Sequence, residues 1–135
     1  MAKVDWSRRF VTDHAGMDGQ HRILFDLLDK ARAGLDPQTR PPDYQRLVLD
    51  LLKYVVEHFG YEYELMHRNA YPGLEAHHAD HQRLTVQTVI FKDRVLKGED
   101  ARAPFVAFLD GWVELHIEGF DKGLANFLRK RGLAL

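Results

Sequence analysis

With 135 residues, 45% of them hydrophobic and 29% charged, the chain has the length and composition of one globular domain able to bury a sizeable core. A formal net charge of -1, with no basic run interleaved with aromatics, argues against nucleic acid as a partner. The absence of cysteine excludes disulfides, thiolate chemistry, iron–sulfur clusters and cysteine-based zinc sites. The opening MAKVDWSRRF lacks the apolar core of a signal peptide, and no apolar run is long enough to cross a bilayer, so cytoplasmic residence without membrane insertion is expected.

Residues 1–17 carry aromatic and polar residues without a clear period and are expected to form an N-terminal arm over the domain. Four segments of helical period follow. His21, Leu24, Leu28, Ala31 and Leu35 step by three and four, and GLDPQTRPP ends that run. Tyr44, Leu47, Leu51, Val55, His58, Glu62 and Leu65 form a second stripe that stops before Tyr71-Pro72-Gly73. The third runs through Leu74, His77, His81, Leu84, Thr88, Phe91 and Val95 and breaks near Lys97-Gly98. Phe105, Leu109, Trp112 and His116 make the fourth, Gly119 interrupts it, and an amphipathic tail continues to about Arg131 as a short helix. Strand-like alternation is missing. The pattern predicts an all-α, antiparallel up-down-up-down four-helix bundle in a single domain, 1–135, with the bundle over 18–121 and a C-terminal tail over 122–135.

The distinctive feature is the placement of the 8 histidines. His21, His58, His77, His81 and His116 all fall on core-facing stripes, and so does Glu62. Each buried polar group without a partner costs roughly 1–3 kcal/mol, so a bundle core does not hold this set idle. Taken alone, His77-x-x-x-His81 and His58-x-x-x-Glu62 are weak signals, since either is common on a solvated helix face. Yet residues four apart sit about 40° round a helix, so each pair can present its ligands to one point. His116 and Asp121 are five apart, about 140° round a regular helix, and share a site only if the backbone departs from ideal near Gly119. Five imidazoles and two carboxylates exceed the six positions of one octahedral ion, whereas two ions bridged by Glu62 and Asp121 use all seven. Such mixed ligands suit iron, manganese or zinc, and carboxylate bridging with terminal histidines favours a di-iron centre. His14, His67 and His78 lie off the stripes and are expected at the surface. Glu64-x-x-His67 and Glu75-x-x-His78 match the spacing of ferritin-like di-iron bundles, but all four residues lie off the core stripes.

These residues resemble the hemerythrins, specifically the single-domain bacterial kind. The resemblance is carried in order by DGQHRILF, HFGYEYELM, YPGLEAHHADH and WVELHIEGFD, from about Asp18 to Asp121. One local departure is Tyr63, where a second acidic residue often follows the ligand glutamate, and Tyr63 is not a ligand position. The resemblance implies that His77, His81 and His116 hold one iron and His21 and His58 the other, with Glu62, Asp121 and an oxo or hydroxo group as bridges. The iron with two histidines then keeps a vacant position, at which the family binds dioxygen.

Reversible dioxygen binding for storage or delivery, rather than turnover, is the function this implies, with an oxygen-consuming enzyme as recipient. The stripe neighbours Leu24, Leu28, Val55 and Trp112, together with Phe59 and Ile117 next to ligands, are expected to line an oxygen pocket and exclude water. Gln20, Tyr54 and Asp80 are candidates to fix the ligand imidazoles through their other nitrogens. No inward acid or base is expected beyond the seven ligands, which weighs against catalysis, although a minor oxidase or peroxidase activity is compatible with such a site. The alternatives are an oxygen or redox sensor acting through a separate partner, and a di-iron enzyme consuming peroxide or nitric oxide.

Overall fold

The computed structural model describes residue 12 and residues 14–132. Four long helices form the body: α1 (Ala15–Ala33), α2 (Pro41–Arg68), α3 (Leu74–Leu96) and α4 (Arg102–His116). A π-helical turn, Ile117–Asp121, then leads into α5 (Lys122–Lys130). There is no strand among the described residues, and none of their helices is long and apolar enough to cross a membrane. Contacts run α1–α2, α2–α3, α3–α4 and α4–α1, which closes the ring of an up-down-up-down bundle as the stripes predict. Of the arm expected over 1–17, Ala15–Met17 already belong to α1, and most of the rest lies outside the described residues.

Local chemistry sets the ends of these helices. Pro41 and Pro42 occupy the first turn of α2, where the missing N–H groups cost nothing. Gly98, at φ 89°, supplies the left-handed residue that turns the chain after α3. Before α3, the ring of Tyr71 lies so close to Gly73 that an added Cβ would sit 2.8 Å from it. Leu35, expected on the first stripe, is instead 38% exposed, because α1 has already ended at Ala33.

His14 corrects the expectation of a surface residue. It is buried and caps α1: its Nδ1 accepts the Met17 N–H at 3.2 Å, while Thr12 donates to Asp18 from both its amide and its hydroxyl. A helix cap satisfies backbone groups that no periodic pattern reveals. His67 is exposed and His78 half-buried, in keeping with their off-stripe positions.

The core is divided in two. One cluster includes Leu24, Leu28, Val55, Leu84, Leu109 and Trp112. The other holds Met17, Leu65, Met66, Leu124, Ala125 and Leu128. The ligand-type side chains fall between members of these clusters: His21 between Met17 and Leu24, His58 and Glu62 between Val55 and Leu65, His116 and Asp121 between Trp112 and Leu124, and His77 and His81 between Leu74, packed against the second cluster, and Leu84. Apolar layers on both sides thus seal a polar layer inside the bundle.

Candidate metal centre

Each helix turns one edge of its stripe into this layer. His58 and Glu62 come from successive turns of α2, and His77 and His81 from successive turns of α3. His21 comes from α1 and His116 from the last residue of α4. Asp121 needs the π turn: its wider i→i+5 winding brings a residue five positions after His116 back to the same face. The departure from ideal helix expected near Gly119 is therefore this turn, Ile117–Asp121.

The seven side chains predicted as ligands are brought together, all buried to 3% exposure or less. They form two overlapping sets, Glu62, His77, His81, His116 and Asp121 in one and His21, His58, Glu62 and Asp121 in the other; within each, the donor atoms lie within 4.8 Å of one another. The shared carboxylates divide their oxygens between the sets. Glu62 Oε1 lies 3.3 Å from His77 Nε2 and 3.0 Å from His81 Nε2, while Oε2 lies 3.2 Å from His58 Nε2 and 3.8 Å from His21 Nε2. Asp121 Oδ1 is 3.0 Å from both His77 and His116 Nε2, and Oδ2 is 2.9 Å from His21 Nε2.

These close approaches do not have hydrogen-bond geometry. Among the described residues, both oxygens of Glu62 and of Asp121, and both ring nitrogens of His21 and His77, are buried without a hydrogen-bond partner. So many orphaned donors and acceptors, converging from four helices, do not satisfy one another, and a buried polar group without a partner is costly. Imidazole nitrogens and carboxylate oxygens aimed at two common points fit a pair of transition-metal ions.

The charges show the same convergence. Burial would push the Glu62 carboxyl up, but the facing His58 holds it well below its ordinary range. Asp121 is likewise opposed by burial and by the Glu62 charge, and His116 pulls it low. Burial lowers His21, His77 and His116, yet the carboxylates, Asp121 foremost, raise all three above the usual histidine value. His81 is pushed down to about 4, by burial first, with His116 and His77 opposing its charge.

Two of the five imidazoles are held from behind. His58 Nδ1 donates to Gln20 Oε1 at 2.5 Å, and the Tyr54 hydroxyl donates to the Gln20 carbonyl at 2.6 Å. His116 Nδ1 donates to Asp80 Oδ2 at 2.7 Å, and Asp80 also pairs with Arg83. A proton fixed on Nδ1 leaves the Nε2 lone pair to face the centre. Among the described residues, His21, His77 and His81 have no such bond at Nδ1, contrary to the expectation of a partner behind each ring. Rings hold them instead: Phe25 beside His21, Phe120 beside His77 and Phe59 flat on His81. Phe25 and Phe120 were not anticipated from the sequence, although Phe25 lies one turn from His21 and Phe120 directly precedes Asp121. Asp80→Ala should weaken metal binding roughly 10–100-fold in a chelator competition. Unchanged affinity would show that the bond to His116 does not orient that ring.

The residues expected to line a pocket, Leu24, Leu28, Val55, Phe59, Trp112 and Ile117, are all buried in the larger apolar cluster. Phe59 and Trp112 touch the centre directly: the Phe59 ring is 3.8 Å from that of His81, and the Trp112 ring 6.1 Å from that of His116. Asp80 corrects the expectation of no inward acid beyond the seven ligands: it is buried, and the bond to His116 occupies it.

Comparison with known proteins points the same way. The chain is 28% identical over 124 residues to the bacteriohemerythrin of Methylococcus capsulatus, covering 90% of this chain and 94% of that protein. It is 26% identical over 110 residues to the bacteriohemerythrin of Stenotrophomonas maltophilia, covering 82% and 71% respectively. The crystal structure of a wild-type hemerythrin superposes with a TM-score of 0.83 at 25% identity, covering 93% of this chain and 97% of the other. The family model for the hemerythrin HHE cation binding domain matches residues 12–128, and the buried histidine, glutamate and aspartate cluster lies inside that span: the chain belongs to the hemerythrin family.

Proposed function

We propose that this protein binds two iron ions and takes up dioxygen reversibly, storing it or delivering it to an oxygen-consuming enzyme in the cytoplasm. The observation that carries this reading is the inequality of the two donor sets, three imidazoles in one and two in the other around the shared carboxylates. His77, His81 and His116 would hold one ion, His21 and His58 the other, and Glu62 and Asp121 would bridge them. The ion with two imidazoles keeps room for a small ligand, and a ferrous pair there supplies reversible two-electron chemistry to dioxygen.

The chain's own residues favour holding a ligand over transforming it. Leu24, Leu28, Val55 and Ile117 are apolar and buried, and they keep water from the layer in which the ligand would sit. Gln20 and Asp80 hold protons on the far side of His58 and His116, away from the ligand. Trp112 contributes a buried indole N–H with no partner, a neutral donor too weak an acid to protonate a bound ligand.

The test is an optical spectrum through repeated oxygen cycles. The iron-loaded protein is reduced under argon, exposed to oxygen and then stripped of it. A ligand-to-iron charge-transfer band that appears and vanishes each time is the expected result. Immediate and irreversible oxidation without an adduct would overturn the carrier reading in favour of a redox sensor or an oxidising enzyme.

A further inference from the structure

Phe59 occupies a position no other ring shares. Among the ring contacts of the described residues, it alone touches imidazoles of both donor sets: His58 at 6.0 Å from one, His81 at 3.8 Å and His116 at 5.9 Å from the other. It lies nearly parallel to His81, at 10°, and meets Trp112 edge-on at 86°. Phe59 and His81 also line a groove of about 560 Å³ bordered by α2 and α3. They are its floor, buried at 7% and 2% exposure, while Val56 and Val86 on its sides are about half exposed, at 50% and 55%. A second cavity, about 330 Å³, lies among Leu35, Tyr44 and Val95, away from the candidate centre. The groove thus borders the candidate centre: His81, one of the proposed ligands, lies in its floor beside Phe59.

Its composition suits an apolar solute. Val56, Phe59, Thr85 and Val86 present mainly hydrocarbon; Glu64, His78 and Gln82 add polar groups, and no lysine or arginine lines it. Gly60 lies in the middle of α2, where glycine is a poor helix former, and a Cβ added there would meet nothing within 4 Å. Packing in the fold therefore does not require glycine at this position, which lines the groove beside Phe59.

Resting on the proposed oxygen chemistry, we propose that dioxygen enters and leaves through this groove and that the Phe59 ring is the gate at its floor. Dioxygen is small, apolar and uncharged, so it partitions into such a groove without losing hydration. A swing of the Phe59 side chain off His81 would open a path to His58, on the donor set that keeps room for a ligand.

The experiment compares the native protein with Gly60→Leu, which replaces a poor helix former by a good one and so preserves α2 while filling the groove. Stopped-flow rates of oxygen association and dissociation should both fall by about tenfold, with the equilibrium affinity unchanged, because a blocked route slows both directions alike. Independently of iron, crystals of the native protein under xenon pressure should show xenon against Phe59, and Gly60→Leu crystals should not. Unchanged oxygen rates in Gly60→Leu, or xenon reaching the core elsewhere, would overturn the route. An altered affinity would overturn it too, by showing that the substitution acts on the centre. If the iron-loaded protein forms no oxygen adduct, the reading of function fails and xenon decides the route: occupancy against Phe59 supports it, absence ends it.

Discussion

Replacing Glu62 with alanine should abolish stoichiometric binding of two metal ions, whereas His78→Ala, one residue from a proposed ligand, should leave it intact. Glu62 is fully buried, and its two oxygens face different donor sets: Oε1 lies 3.0 Å from His81 Nε2, and Oε2 3.2 Å from His58 Nε2. Its removal therefore strips one charged ligand from both positions at once. The loss should exceed the roughly 10–100-fold typical of a residue that only supports a ligand. It also removes a negative charge that would lie between two mutually repelling cations. His78 sits one position round α3 from His77, is half-buried and packs against Tyr63 at 5.0 Å, outside both sets. Metal per chain after gel filtration, with circular dichroism to confirm the fold, distinguishes the two variants. Two ions per chain in Glu62→Ala would sink the bridging assignment.

The stripes that make this prediction possible are local, which is why they were legible. A period of 3.6 residues fixes which side chains share a face, and it put His21, His58, Glu62, His77, His81 and His116 inside before any helix was placed. Asp121 was legible only conditionally, because five-residue spacing requires a backbone irregularity whose existence Gly119 permits but does not dictate. The π turn supplies it.

Contacts across the bundle were harder. Gln20 meets His58 across 38 positions of sequence and Asp80 meets His116 across 36, so each depends on how two helices are rotated about their axes, which periodicity leaves free. Gln20 and Asp80 were therefore nameable as candidates without their partners. His14 failed for a different reason: a histidine cap is rare beside serine, threonine or aspartate caps, and an irregular approach to the helix hides it. The groove on Phe59 arises from gaps between side chains of two helices, and a sequence pattern records no gaps.

Removing the metal should lower the thermal midpoint and make stability fall on both sides of neutrality, with the metal-loaded protein holding on the alkaline side. With no ion between them, the side chains of the centre are left to pair as charges. Glu62 and Asp121 have carboxyls lowered by folding, so their contribution is present above the unfolded carboxylate range and is lost as pH falls through the folded values. His81 adds to the acid flank: pushed down to about 4, it contributes fully above the ordinary value of 6.5 and less as pH falls toward 4. His21, His77 and His116 act oppositely. They are raised above 6.5, so they contribute fully below that value and progressively less as pH rises through their folded values. Metal ions need neutral imidazoles and displace these protons, so metal affinity grows over the same rise in pH. At an ion concentration about a hundredfold above the dissociation constant, loading contributes about 2.7 kcal/mol, which for a domain of this size is a shift on the order of 10 °C. Calorimetry from pH 5 to pH 9, with and without chelator, should therefore show the gap between loaded and stripped protein widening above pH 6.5. A stripped protein whose stability stays level across that alkaline range would mean that its buried imidazoles are neutral and unpaired, against the carboxylate-centred arrangement from which the two metal positions are inferred.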